Sequence, residues 1–318
     1  MALLEVQDLS IGYRTKKGYL QAVDGLSFVL EEGTSLGFVG ESGCGKTTVG
    51  MALMGLLPPN GSVSKGRIVF EGRDLLKMGE EEMRRIRWRK IAMIFQAAMN
   101  ALNPVKRVDK QIVEAILTHD SQKDEEEAMK EVEGLFQLVG VPVERMRDYP
   151  HQYSGGMKQR AIIAMALACK PRLIIADEPT TALDVIVQDQ ILAETRNLQR
   201  EFGISIIFIS HDIAIVAEVC HDIGIMYAGQ LVEYGPRDKV FESPGHPYTR
   251  ALLASYPTLT GDKKRLTPIP GETPNLIHPP EGCRFCDRCP GAKGQCKKES
   301  PEWIEISPGH RSLCHGSP

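Results

Sequence analysis

The 318-residue chain lacks a charge excess of either sign, with 38 Lys and Arg against 41 Asp and Glu and a net charge of −3. No broad basic field draws nucleic acid or anionic lipid, so no nucleic-acid partner is expected. It also lacks any apolar stretch near the ~18 residues of a membrane span. The start, Met1 to Gln7, carries Glu5 and has no basic segment ahead of a long apolar run; no export signal is read, and a cytosolic chain is expected. Self-similarity at a period of roughly 20 to 50 residues is missing as well, which argues against a repeat architecture. What is present is an ordinary globular composition, 42% hydrophobic and 25% charged, and this excludes disordered, collagen-like and disulfide-miniprotein classes.

Eight cysteines stand in the chain, five of them between Cys283 and Cys314. In a compartment that keeps thiols reduced, such crowding points to a metal. Leu4, Val6 and Leu9, then Val23, Leu26, Phe28 and Leu30, alternate as antiparallel strands do. Ser35 to Val39 reads as a buried strand ending at Gly40, and Thr47 to Leu57 as a helix stopped by Pro58 and Pro59. Two helical stretches follow, around Val108 to Thr118 and from Asp124 to Val139; the second sets Val132, Leu135, Phe136 and Val139 at helical spacing. Beyond this insertion come a helix (Ser154 to Ala168), a strand (Arg172 to Ala176), a helix (Val185 to Phe202) and a strand (Ile204 to Ile209). That alternation predicts an α/β fold with a largely parallel sheet and helices on both faces. From Pro236 onward prolines and glycines multiply, and the last ~80 residues are expected to be an irregular appendage held by cysteines rather than by a large core.

Gly40-Glu41-Ser42-Gly43-Cys44-Gly45-Lys46-Thr47 fits G-x-x-x-x-G-K-[ST] between a predicted strand and a predicted helix, with Thr48 next in that helix. Glycines let the backbone bend so that successive N–H groups face an anion, and the helix N-terminus adds a favourable dipole. Lys46 is expected to reach the β and γ phosphates of a nucleotide, and Thr47 to offer its hydroxyl to Mg²⁺. A chance match of the four specified positions has a probability on the order of one in a hundred in a chain of this length. Leu173-Ile-Ile-Ala-Asp177-Glu178 is an apolar strand ending in two acids. Asp177 at its tip is suited to hold the hydrated metal, and Glu178 to accept a proton from an attacking water. By themselves the two acids read equally well as a solvated loop or a cap, since Pro179 and Thr180 are ordinary turn residues; the phosphate loop decides between the readings.

Tyr153-Ser154-Gly155-Gly156-Met157-Lys158-Gln159-Arg160, opening a helix upstream of that strand, resembles the signature of ATP-binding cassette ATPases. The resemblance extends in family order over residues from about 10 to 235. It implies that Gln96 is the Q-loop glutamine and a further Mg²⁺ ligand, that Ala182-Leu183-Asp184 is the D-loop, that His211 is the switch histidine, and that Tyr13 stacks on adenine. Tyr19 is a competitor for the stacking role. Ser154, Gly155 and Gly156 at a helix start make a second anion site on one chain, and in the family that signature closes on ATP held by the opposite subunit. Tyr153 and Met157 depart from the usual leucine and glutamine without removing the Ser-Gly-Gly site. The division this implies is a P-loop core with an antiparallel β subdomain (1–96 and 156–235), a helical subdomain carrying the signature at its end (97–155), and a Cys-rich C-terminal extension (236–318).

Gly245-His246-Pro247-Tyr248-Thr249-Arg250, Ile269-Pro270-Gly271 and Gly282-Cys283-Arg284-Phe285 with Arg288-Cys289-Pro290 resemble the C-terminal extension of dipeptide and oligopeptide importer ATPases, as does Asn103-Pro104-Val105 after the Q-loop. Ala97 and Ala98 depart from that group, whose loop usually carries an acid after the glutamine. The resemblance implies an ATPase at the cytoplasmic face of the cell membrane, peripheral to it. Its partners would be two transmembrane permease subunits, a second related or identical ATPase chain, and an extracytoplasmic substrate-binding protein. Peptides lead as cargo, oligosaccharides or metal complexes follow, and a soluble cassette ATPase acting on nucleic acid or ribosomes is the rival class. Sulfur spacing leaves an iron–sulfur cluster, Zn²⁺ and free or disulfide-bonded thiols open. The resemblance selects Cys283, Cys289, Cys296 and Cys314 as ligands of a [4Fe–4S] cluster, with Cys286 the extra thiol.

Overall fold

A computed structural model describes residues 1–96, 101–181, 183–255 and 268–316. Ala97 and Ala98, and Ala182 of the D-loop, lie outside the described residues. The chain divides into two compact units. The first comprises Met1–Glu31, Ser35–Leu76 and Ile209–Pro318, and the second Glu32–Thr34 and Lys77–Phe208.

In the first unit Ala2–Thr15 and Gly18–Glu31 form a long antiparallel hairpin, flanked on its other side by Gly61–Phe70 and then Arg73–Asp74. Alternation along these strands buries Leu4, Val6, Leu9, Val23, Leu26 and Phe28, as a half-buried pleated surface requires. Ser35–Val39, buried at every position, pairs in parallel with Asp222–Tyr227. Gln230–Pro236 turns back antiparallel on Asp222–Tyr227. The hairpin Trp303–Ser307 and His310–Leu313 adds to that edge, so the end of the chain extends the sheet.

In the second unit Ile91–Ile94 pairs in parallel with Leu173–Asp177, and Ser205–Ser210 is the next strand. Its helices include Val108–His119, Glu125–Leu138, Gly155–Leu167 and Val185–Phe202. Their starts are set locally. Asp124 accepts the Glu127 N–H at 2.8 Å while the Glu127 carboxylate takes the Asp124 N–H, a reciprocal cap. Of the apolar stripe expected on Glu125–Leu138, Val132 and Phe136 are buried, whereas Leu135 is half-buried. The fold is therefore the P-loop α/β type with an antiparallel β sheet beside it.

The C-terminal extension departs from the expectation that cysteines rather than a core hold it. It is loop and short turns between residues 268 and 302, yet it also forms the helices Arg237–Glu242 and Pro247–Ala254. Tyr248 and Phe285 are wholly buried against Tyr227, with ring centroids 4.7 and 5.2 Å away. Glu233, fully buried, accepts the N–H groups of Gly245 and His246 at 2.7 and 2.8 Å and bonds His310 Nε2 at 2.7 Å. Arg284 pairs with Asp24 at 2.6 Å. An extension with little core of its own thus shares the core of the unit it packs on.

Candidate functional site

The phosphate loop bends at glycines. Gly43 and Gly45 stand at φ +80° and +106°, and a Cβ on Gly45 would lie 2.5 Å from the Ala22 carbonyl oxygen. Gly45 begins the helix Lys46–Leu53, and no side chain caps that end, so its first-turn N–H groups are available to an anion. Lys46 is buried; its ammonium donates to the carbonyls of Gly40 (2.6 Å) and Glu41 (3.1 Å), inside the loop. Cys44 is buried beside it, and burial pushes its thiol up. Ser42 and Gly43 are exposed at the crest, while Thr47 and Thr48 are half-buried on the first helical turn. The hydroxyl of Tyr13 meets Thr48 Oγ1 at 3.1 Å, which ties this ring to the loop helix. Tyr19, 45% exposed, lies across Gly12 instead. His211 follows the strand end at Ser210 and is exposed, with the Ser210 hydroxyl accepting the Asp212 N–H at 2.9 Å.

In the second unit the acidic strand end and the Q-loop glutamine come together. Asp177 is buried as the last residue of its strand. Glu178 is half-buried, and its Oε2 accepts Gln96 Nε2 and Thr181 Oγ1, each at 3.0 Å. Its backbone is left-handed at φ +49°, a cost of order 1 kcal/mol or more that surroundings must sustain, as at sites where function dictates geometry. Ser154 caps its helix by accepting the Met157 N–H at 3.3 Å. Asp184 caps the helix Val185–Phe202 through the Val187 N–H at 3.0 Å. Gly155 and Gly156 form the first turn of the signature helix, and a Cβ on Gly156 would stand 2.8 Å from Val187 Cγ1. The signature and the D-loop end are therefore neighbours, and a side chain at position 156 would have to displace Val187.

Five cysteines, Cys283, Cys286, Cys289, Cys296 and Cys314, line one cavity of about 390 Å³. Two of them accept a backbone N–H: Lys293 N–H donates to Cys296 and Gly316 N–H to Cys314, both at 3.4 Å. Burial pushes the Cys283 thiol up to about 11 and raises those of Cys286 and Cys289. Among the described residues no group of three or more His, Cys, Asp or Glu is gathered to hold a single metal ion.

Sequence reasoning overlooked Thr181 as a second partner of Glu178, and it overlooked two residues of the extension that grip the phosphate loop. The Glu41 N–H donates to Tyr248 Oη at 3.0 Å, and its carboxylate pairs with Arg288 at 2.9 Å. No spacing rule connects positions more than 200 residues apart.

Residues 23–181 match the ABC transporter family, and residues 232–296 match the oligopeptide/dipeptide transporter C-terminal region. The chain is 46% identical over 315 residues to the dipeptide transport ATP-binding protein DppD of Bacillus subtilis (strain 168), covering 98% of this chain and 94% of that one. It is 45% identical over 315 residues to the oligopeptide transport ATP-binding protein OppD of Escherichia coli (strain K12), covering 98% and 93%. Among solved structures it is similar to cbiO1 from Clostridium perfringens, described as part of the ABC transporter complex cbiONQ, with a TM-score of 0.67 and 27% identity over 76% of this chain and 91% of that one. The dimeric cassette MJ0796 bound to ADP and Pi shares the fold at a TM-score of 0.67 and 23% identity, covering 74% and 98%.

Proposed function

Because the chain belongs to the ABC transporter family of ATP-binding proteins, we propose that it is the ATP-hydrolysing subunit of an importer for peptides of the dipeptide and oligopeptide class. The observation that carries this reading is the likeness along the whole chain, ATPase motifs and C-terminal extension alike, to dipeptide and oligopeptide transport ATP-binding proteins.

In the proposed chemistry, the loop N–H groups and Lys46 bind the phosphates of ATP and Tyr13 takes its adenine. Thr47, Gln96 and Asp177 would hold Mg²⁺, which neutralises phosphate charge when bound. Glu178 takes the proton of the attacking water; the hydrogen bonds from Gln96 and Thr181 orient its carboxylate for that task. His211 contacts the γ-phosphate. Ser154, Gly155, Gly156 and Asp184 serve the nucleotide of a second ATPase chain. That reading is supported by Val185 and Ile186, which are 72% and 71% exposed beside Asp184, as apolar residues awaiting a partner surface are. Phe95 and Val105, 41% and 79% exposed, flank the Gln96 segment and suit contact with a permease subunit. No helix among the described residues is long and apolar enough to cross a membrane, so the proposed attachment to the cytoplasmic face runs through two permeases, with a binding protein delivering cargo from outside. Glu178→Gln is expected to retain ATP binding and lower turnover by a factor of roughly 10²–10⁴; normal hydrolysis by this variant in the reconstituted complex would reject the assigned base.

The cysteine cavity is proposed to take a [4Fe–4S] cluster on Cys283, Cys289, Cys296 and Cys314. Two features support this choice. All four sulfurs line one cavity. Cys296 and Cys314 also receive backbone N–H groups, which stabilise cluster-bound thiolate. When bound, the cluster would cross-link the loops that carry these cysteines. Anaerobically purified protein is expected to contain iron and labile sulfide, to lose both in Cys289→Ser and to keep both in Cys286→Ser; zinc without sulfide would refute the cluster.

A further inference from the structure

We propose that Arg288, in the cysteine-rich segment of the extension, is a positioning residue for the phosphate loop, acting through Glu41 to hold that loop ready for MgATP. This deepens the reading of residues 40–47 as the ATP site and rests on it. Glu41 is held on three sides. Its N–H donates to Tyr248 Oη (3.0 Å), its carboxylate accepts from Arg288 Nη1 (2.9 Å), and its carbonyl accepts from Lys46 Nζ (3.1 Å). One loop residue thus joins two residues of the extension to the lysine assigned to the phosphates.

Arg288 is itself immobilised. Its Nε donates to the Pro270 carbonyl (2.8 Å) and its Nη2 to that of Ile269 (3.4 Å), while Nη1 also reaches Tyr227 Oη (3.3 Å). The guanidinium lies 5.6 Å from the Tyr227 ring centroid, and the side chain is 7% exposed. A planar, delocalised donor fork held at every nitrogen is a rigid support for a carboxylate. Tyr248 is equally fixed, packed between Tyr227 and Phe285. The rest of the loop is glycine-rich and bends at Gly43 and Gly45, so its order depends on such external holds; without them, nucleotide binding has to supply the ordering entropy. Arg288 lies between Cys286 and Cys289, and whatever fixes those cysteines therefore fixes the arginine that steadies the loop.

The test uses the full transporter complex with wild type, Arg288→Gln, Arg288→Lys, Glu41→Gln and the double Arg288→Gln/Glu41→Gln variant, reading Kd for mant-ATP with Mg²⁺ alongside kcat. Arg288→Gln is expected to raise Kd about tenfold, equivalent to about 1.4 kcal/mol, with kcat within about twofold of wild type; Arg288→Lys, which keeps the charge, is expected to fall between. Glu41→Gln removes the charge of the pair from its more exposed end, leaves the packing of the extension intact, and should also raise Kd; the double variant should be no worse than Arg288→Gln alone. An unmoved Kd in both single variants, Kd effects that multiply in the double variant, or a fall in kcat and yield at constant Kd would overturn the proposal and leave Arg288 a structural anchor. Wild-type complex that fails to bind mant-ATP would overturn the nucleotide reading itself, a result distinct from any of these.

Discussion

Replacing Phe285 by alanine should free the C-terminal extension from the sheet it packs on. The ring is 1% exposed and meets Tyr227 edge-on (5.2 Å, 85°), Tyr248 (5.4 Å, 62°) and His246 (5.8 Å). Truncating a buried phenylalanine costs ~3–5 kcal/mol, of which edge-to-face contacts at ~0.5–1.5 kcal/mol each are a part. The contact to Tyr227 joins the extension to the rest of its unit and those to Tyr248 and His246 join two segments of the extension, so the cost appears as local opening. The opening equilibrium of residues 246–254 and 283–289 should rise by about two to three and a half powers of ten. Phe285→Leu, which leaves a smaller cavity but also loses the ring contacts, should cost less than Phe285→Ala. Amide hydrogen exchange on the full chain reads this directly: protection should collapse in those segments and persist in Leu173–Asp177. Unchanged exchange in Phe285→Ala, with opening only after metal removal, would refute the reasoning and return the extension to its cysteines.

Tyr13→Ala should weaken ATP binding by ~1–3 kcal/mol, the worth of stacking a base on an aromatic ring, whereas Tyr19→Ala should leave it unchanged; equal effects in equilibrium binding would undo the assignment of adenine to Tyr13. His246 is pushed down to about 3 by burial, with the charge of Arg250 adding to the effect. In the unfolded chain a histidine titrates near ~6.5, so below that pH the unfolded state binds a proton that the folded state refuses. This group's contribution to stability is therefore complete above pH ~6.5 and declines as the pH falls toward about 3. Asn at position 246 can still cap the helix that His246 caps through the Tyr248 N–H, and His246→Asn should flatten that part of the pH dependence of denaturant midpoints; identical slopes in the two proteins would count against it.

Much of the local structure was legible along the chain. Alternating Leu4, Val6 and Leu9 announced a strand because a pleat exposes every second residue, and Asp124 announced a helix start because its carboxylate reaches an N–H three residues on. The extension was read less well. Its prolines, glycines and cysteines argued for a loop-rich segment with little core, and that much describes residues 268–302. Tyr248 and Phe285 could not announce their burial, because an isolated aromatic shows no periodicity and their shared neighbour, Tyr227, lies on a strand far away in sequence. Nor does spacing single out Glu233, which the fold buries under the N–H groups of Gly245 and His246.

By itself the sequence determined whatever depends on near neighbours: the glycine bends and bare helix start at Gly45, the caps at Ser154 and Asp184, the buried strand that ends at Asp177, and the order in which these occur. Such features involve residues a few positions apart, where backbone geometry leaves few alternatives. Tertiary structure alone decided which distant groups meet. Arg288 had 41 acidic side chains to choose from and found Glu41; Gln96 found Glu178; five cysteines came to line one cavity, and two of them met a backbone N–H. Chemically equivalent partners cannot be ranked by spacing, because the choice among them is made by the packing of strands and rings that brings one pair within 3 Å and leaves the rest in water.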